Sequence, residues 1–245
     1  MQQESQNASE PDGWTHAAKQ RGSHLRDFVY GGIDGAVTTF AVVSGVAGAG
    51  LSSGVVVVLG FANLLGDGFS MAASNFLGTR ADLQLIQQAR QLIQRRIQLD
   101  PEREREQVRQ ILTNQGFSGA GLQQATTVYT SDEDRWIELL LQDEFGLSSE
   151  QPDPMKAAIV TFAAFISIGL LPLLSFTVHL WHPALVNPFF ASALLTALAF
   201  FTVGAIKSRF VAERWYWSGL ETLAVGGAAA LLAFLIGRIL QGIVH

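Results

Sequence analysis

The 245-residue chain contains no cysteine, which excludes a disulfide framework, a thiolate metal site and a cysteine nucleophile, and leaves its redox compartment open. Charge is scarce as well: 15% of the residues are Asp, Glu, Lys or Arg, against roughly 25% in an ordinary soluble domain. The net charge of −5 gives no electrostatic reason to expect nucleic acid as a partner. No basic stretch with a short apolar core opens the chain, so no cleavable signal peptide is expected. A Ser/His/Asp set, a phosphate loop and an HExxH pair are also missing, so an enzyme is not expected.

What is present is segregated. Most of the charged residues fall in two blocks, 1–27 and 79–156, and the remainder of the chain is close to continuously apolar. About 20 helical residues cross a hydrocarbon core of ~30 Å, and five stretches are long enough: Phe28 to about Gly50, Ser53 to Gly78, Ala157 to Val178, Pro188 to Ile206 and Tyr216 to Ile239. The fold class expected is an all-α integral membrane protein with five transmembrane helices and a lipid bilayer as its first partner. Residues 1–26 read as a flexible cytoplasmic tail, 27–78 as the first two spans, 79–155 as an inserted helical domain and 156–245 as the last three spans.

Charge sets the orientation. With the N-terminus cytoplasmic, 15 of the 16 Lys and Arg lie inside, and the loops 45–53 and 179–187 on the opposite side have none. The inserted domain is then cytoplasmic. Trp215, Tyr216, Trp217 and Trp181 stand where interfacial aromatic belts form.

The central block is different material. In "LDPEREREQVRQIL", Asp100 is placed as N-cap, Pro101 as first helical residue and Glu102 in the first turn, with Gly116 closing the helix. "SDEDRWIELLLQDEFGL" has Ser131 and Asp134 at capping-box spacing and ends at Gly146. Residues 81–97 and 118–129 complete a small helical domain between spans two and three.

The candidate site lies in the apolar runs. Asn63, Asp67 and Met71 recur every four residues, so they share one face of span two, flanked by Gly60, Ser70 and Ser74. Gly31, Asp34, Thr38 and Gly45 share a face of span one, and span five contributes Glu221. Asp34, Asp67 and Glu221 are the only acids within these runs, and a carboxylate at the centre of a membrane helix costs ~2.5 to 3.5 kcal/mol on insertion scales. No Lys or Arg is placed at comparable depth, so a cation or a proton is the simplest partner. A group that accepts either is what a cation/proton exchanger needs. Met71 adds a soft thioether, which suits Fe²⁺, Mn²⁺ or Co²⁺ better than Ca²⁺ or Mg²⁺. Blander readings stand beside these: packing for Met71, snorkelling or capping for Asp67, a helix-terminus acid for Asp34 and a structural hydrogen bond for Glu221. His179 and His182 in "HLWHP" read as a solvated pair at the interface rather than a metal site.

"YGGIDGAVTTFAVVSGVAGA", "ANLLGDGFSMAASNFLGTRAD", "EFGL", "AAIVTFAAFISIGLLPLLSF" and "SGLETLAVGGAAALLAFLIG" together resemble the vacuolar iron transporter family, from about Arg26 to the C-terminus. The resemblance implies a five-span homodimer whose ion path runs at the subunit interface between spans one and two, exchanging Fe²⁺ or Mn²⁺, with Co²⁺ and Zn²⁺ as further candidates, for protons. It places transport residues on Asp34, Asn63 and Met71, no permanently bound cofactor, and a vacuolar membrane in a eukaryote or the plasma membrane in a bacterium. Asp34, Asn63, Asp67, Met71, Glu104 and Glu144 are the expected metal contacts, and Asp34, Asp67 and Glu221 the expected proton-coupling acids.

Two departures qualify it. Family members often carry Glu where this chain has Asn63. In the inserted domain Ile93, Arg96 and Gln107 stand where carboxylates are expected, and Leu140 and Leu141 where Met and Glu are expected, while Glu104 and Glu144 are retained. The expectation is a domain that dimerises or gates with weak or absent metal loading, partly substituted by Glu102, Glu106 and Asp143. The alternative function is a membrane-anchored interaction protein of the same fold that has lost transport.

Overall fold

A computed structural model describes residues 12–148, 152–182, 187–209 and 213–244, with side chains from residue 24 to residue 243 in those ranges. The described residues are all-helical: α1 (Asp12–Gly48), α2 (Ser53–Leu99), α3 (Pro101–Asn114), α4 (Gly119–Thr130), α5 (Glu133–Phe145), α6 (Pro154–Gly169), α7 (Leu171–Trp181), α8 (Pro188–Lys207) and α9 (Trp215–Val244). They form two compact units, one of Gly78–Pro152 and one of the residues on either side.

Among the described residues, four helices, α1, α2, α8 and α9, are long and apolar enough to cross a membrane. The expected third span is a bent pair: α6 and α7 meet at 46°, and together they make a fifth candidate. Pro172 explains the bend, because it has no N–H to donate and its ring crowds the carbonyl of Ile168 four residues back. Two further boundaries differ from the sequence reading. α1 begins at Asp12, so residues 12–26 of the expected tail are helical, whereas 1–11 lie outside the described residues. α2 runs unbroken through Gly78 to Leu99, since Thr79 to Arg96 is rich in Ala, Leu, Gln and Arg and has no proline to stop it.

The larger unit packs around α1. At Gly35 a methyl group would run into the Phe165 carbonyl of α6, and at Gly237 of α9 one would run into the Gly45 carbonyl, so glycine is what lets these backbones meet. Phe165, Phe200, Leu173, Leu64, Val43 and Val56 fill the centre. α2 keeps its backbone farther from its neighbours and reaches the centre mainly through Val56 and Leu64, leaving Val58, Leu59, Leu65 and Phe69 exposed.

The smaller unit has its own apolar core of Ile93, Val108, Leu112, Leu140 and Leu141, all fully buried, with Trp136 and Ile137 beside them. α3 is capped as its sequence indicates, the Asp100 carboxylate accepting from the Arg103 N–H at 3.1 Å, and Gly116 leaves the helix with φ +98°. The cap of α5 is Asp132, not Ser131: Asp132 accepts from the Arg135 N–H at 3.0 Å, while Ser131 turns back to donate to the Val128 carbonyl at 2.9 Å. Asp and Ser compete at adjacent positions here, and the carboxylate makes the stronger charge-assisted cap. Gly146, at φ +63°, closes α5.

Candidate functional site

Asp34 lies on α1, and Asn63, Asp67 and Met71 lie on α2. Asp34 is half-buried on α1, and its backbone carbonyl accepts from Thr38 Oγ1 at 2.9 Å, so the hydroxyl serves the helix and leaves the carboxylate to the site. Asp67 of α2 lies within electrostatic reach of Asp34 and is exposed on the uncovered side of its helix. One turn earlier, Asn63 is half-buried with its amide nitrogen shut off from solvent and without an acceptor. One turn later, half-buried Met71 packs against the central apolar cluster. The arrangement thus places one acid on each of two helices, with an amide and a thioether on the same stripe as Asp67. Among the described residues no three His, Asp or Glu side chains come together, so one copy offers two acids at this place and no more.

Glu221 is different. Lys207 Nζ at the end of α8 donates to Glu221 Oε2 on α9 at 2.7 Å, so this acid does have a basic partner, contrary to the reading that no lysine lies at its depth. The sequence separation of 14 residues conceals that partner from a linear reading. His179 and His182 border a cavity of about 200 Å³ with Ser175, Leu174, Val178 and Leu195, and His179 Nδ1 is buried without a partner, so His179 is less solvated than its loop-like sequence suggests.

A further polar group escaped the sequence reading. Asn75 Nδ2 lies 2.7 Å from Thr161 Oγ1 on α6, 3.2 Å from Asp27 Oδ1 on α1 and 3.4 Å from the Ala157 carbonyl, tying three helices together. The second Asp27 oxygen is buried with no hydrogen-bond partner, as is His24 Nδ1 one turn earlier on α1. A signal was available: Asn75 stands four residues after Met71, and Asp27 seven before Asp34, so both continue the stripes already recognised.

In the unit of Gly78–Pro152 the retained acids are engaged. Arg96 donates from Nε and Nη2 to Glu104 at 3.1 and 2.6 Å, and from Nη1 and Nη2 to Glu144 at 2.8 and 2.5 Å. Gln107 Nε2 donates to Glu144 Oε1 at 2.6 Å. Hydrogen bonds to Glu144, then to Glu104, raise the pKa of the guanidinium above its ordinary value. Ile93, Leu140 and Leu141, where ligands were expected, are fully buried core residues. Of the acids considered as substitutes, Glu106 pairs with Arg109 at 2.7 Å and Glu102 with Arg105 at 3.5 Å, and Asp143 is exposed.

Comparison with known proteins agrees with the motifs. A profile described as "VIT family" matches residues 25–238. A "Vacuolar iron transporter" of Toxoplasma gondii is 30% identical over 230 residues, covering 90% of this chain and 76% of its own length. "Vacuolar iron transporter 2" of Oryza sativa subsp. japonica is 28% identical over 225 residues, 91% of this chain and 89% of its own. "Vacuolar iron transporter 1" of Arabidopsis thaliana is 27% identical over 223 residues, 90% and 87% respectively. With its long apolar helices and a match that spans most of its length, the chain belongs to the VIT family.

Proposed function

We propose that the chain is a multi-pass membrane transporter that moves Fe²⁺ or Mn²⁺ out of the cytoplasm in exchange for protons. The observation that carries this reading is an acid on each of two apolar helices, half-buried Asp34 on α1 and Asp67 on α2, neither of which forms an ion pair among the described residues. Two acids at this depth are costly unless a cation or protons neutralise them. The relatives' names make iron the first substrate to test.

In this account Asp34 supplies anionic oxygen, the Asn63 carbonyl supplies a neutral oxygen and Met71 supplies soft sulfur, a mixed set that favours Fe²⁺ over Ca²⁺ or Mg²⁺. Two acids that take up two protons as one divalent ion leaves would exchange the two species without residual charge. Asp34 and Asp67 are the proton-coupling groups. The Lys207 ion pair gives Glu221 a partner within the chain and argues for a structural role there.

The exposed Asp67 also supports a homodimer. A carboxylate left exposed on an otherwise apolar helix is poorly served by lipid, and a second copy would bring a second Asp34, Asn63 and Met71 to it. The excess of Lys and Arg on one side supports a cytoplasmic N-terminus and a cytoplasmic 79–155 domain. Glu104 and Glu144 are weaker candidates for metal, because Arg96 already satisfies them.

Uptake of Fe²⁺ into proteoliposomes under an imposed pH gradient tests the assignment, and equal rates for Asp34→Ala and the parent would refute it. A second reading, a membrane-anchored interaction protein without transport, is favoured by the Arg96 cluster and by Asn63 in place of an acid. Complete absence of flux from a folded full-length chain would select it.

A further inference from the structure

The acids of the Gly78–Pro152 unit hold a cation that belongs to the chain. Glu104 on α3 is 3% exposed and Glu144 on α5 is 18% exposed, and both face the same Arg96 guanidinium from α2. The contact uses both sides of the fork: Nε and Nη2 meet the two Glu104 oxygens, Nη1 and Nη2 the two Glu144 oxygens. The Gln107 amide closes the ring, donating to Glu144 Oε1, with its own carbonyl 3.5 Å from Arg96 Nη2. All four carboxylate oxygens therefore have a donor. Four carboxylate oxygens and an amide carbonyl are also the donor set that a hard divalent ion takes. Here a planar guanidinium fills it, with a bidentate geometry that a point charge does not reproduce.

The surroundings work in the same direction. A cavity of about 340 Å³ adjoins the cluster, lined by Arg96, Leu99, Asp100, Arg103, Glu104 and Gln107, so a second guanidinium stands at the approach. An entering divalent ion would have to displace Arg96 from five hydrogen bonds and leave an unpaired arginine behind, and one of the carboxylates it holds, Glu104, is buried.

We propose that Arg96 is the resident cation of this unit: its guanidinium occupies the cage of Glu104, Glu144 and Gln107, so the unit keeps its shape without divalent metal and does not respond to metal concentration. This goes beyond the transport reading and does not depend on it. Removing the guanidinium should turn the cage into a metal site.

The test counts Mn²⁺ bound per chain by equilibrium dialysis of the full-length, detergent-solubilised protein. Parent and Glu104→Gln should bind the same number of ions, because Glu104 contributes to no metal site in the parent. Arg96→Met should bind one more, and Arg96→Met with Glu104→Gln should return to the parent number. An ion lost on Glu104→Gln alone overturns the proposal, as does a folded Arg96→Met that gains none. If Arg96→Met unfolds the unit, amide hydrogen exchange of α3 and α5 in the parent decides. Rates equal in chelator and in Mn²⁺ support the proposal, and protection gained on adding Mn²⁺ overturns it.

Discussion

Lys207 Nζ and Glu221 Oε2 stand 2.7 Å apart, an ion pair between the last turn of α8 and the start of α9. The pair sets Glu221 apart from Asp34 and Asp67, neither of which forms an ion pair among the described residues. Glu221→Gln should therefore keep pH-driven metal uptake within about twofold of the parent. Its stability should fall by only ~0.2 to 1 kcal/mol, the usual worth of a partly exposed pair. A tenfold loss of flux with unchanged expression would put Glu221 back on the proton path.

Met71 is both a core contact and a sulfur donor, and one substitution separates the two roles. Met71→Leu conserves volume, so stability should change by less than ~1.5 kcal/mol. If the thioether binds the ion, Fe²⁺ uptake at limiting concentration should fall about tenfold or more, equivalent to about 1.4 kcal/mol of lost binding. The comparison is made by radiolabelled Fe²⁺ uptake alongside thermal unfolding of the same samples.

Asn75 joins α1, α2 and α6 through Asp27, Thr161 and the Ala157 carbonyl. Asn75→Ala should destabilise the protein by roughly 1 to 3 kcal/mol, because buried acceptors lose their donor. Thermal unfolding in detergent measures it. Asn75→Asp should be worse still, since it sets a second carboxylate against Asp27.

Gly35 meets the Phe165 carbonyl with no room for a methyl group. Gly35→Ala should cost ~1 to 3 kcal/mol by overpacking and displace α1, the helix that bears Asp34. Gly66, with open space around it, is the control: Gly66→Ala should be neutral or stabilising in the same unfolding assay.

The apolar spans are legible in the sequence because uncharged apolar runs of about 20 residues are what a bilayer requires and what a soluble core rarely uses. Asp34, Asp67 and Met71 stand out within them as costly or soft groups. The α3 cap at Asp100 follows from local chemistry alone. Ser131 misleads because Asp132, next in sequence, satisfies the same helix end. Pro172 is plain in the sequence, but the angle between α6 and α7 depends on how the two halves pack. Lys207 with Glu221 and Asn75 with Thr161 depend on which helices meet, 14 and 86 residues apart, and periodicity along one helix carries no such information. Arg96 is recognisable in the sequence as an intruder among the acids, but its two-sided grip on Glu104 and Glu144 needs the fold.

The most direct measurement is Fe²⁺ flux into proteoliposomes across a defined pH gradient, for the parent and for Asp34→Ala, with internal pH followed at the same time. The account predicts metal entering the vesicles as protons leave them in the parent, and loss of both movements in Asp34→Ala. Metal uptake that continues unchanged in Asp34→Ala, or that proceeds in the parent with no proton movement, would contradict it.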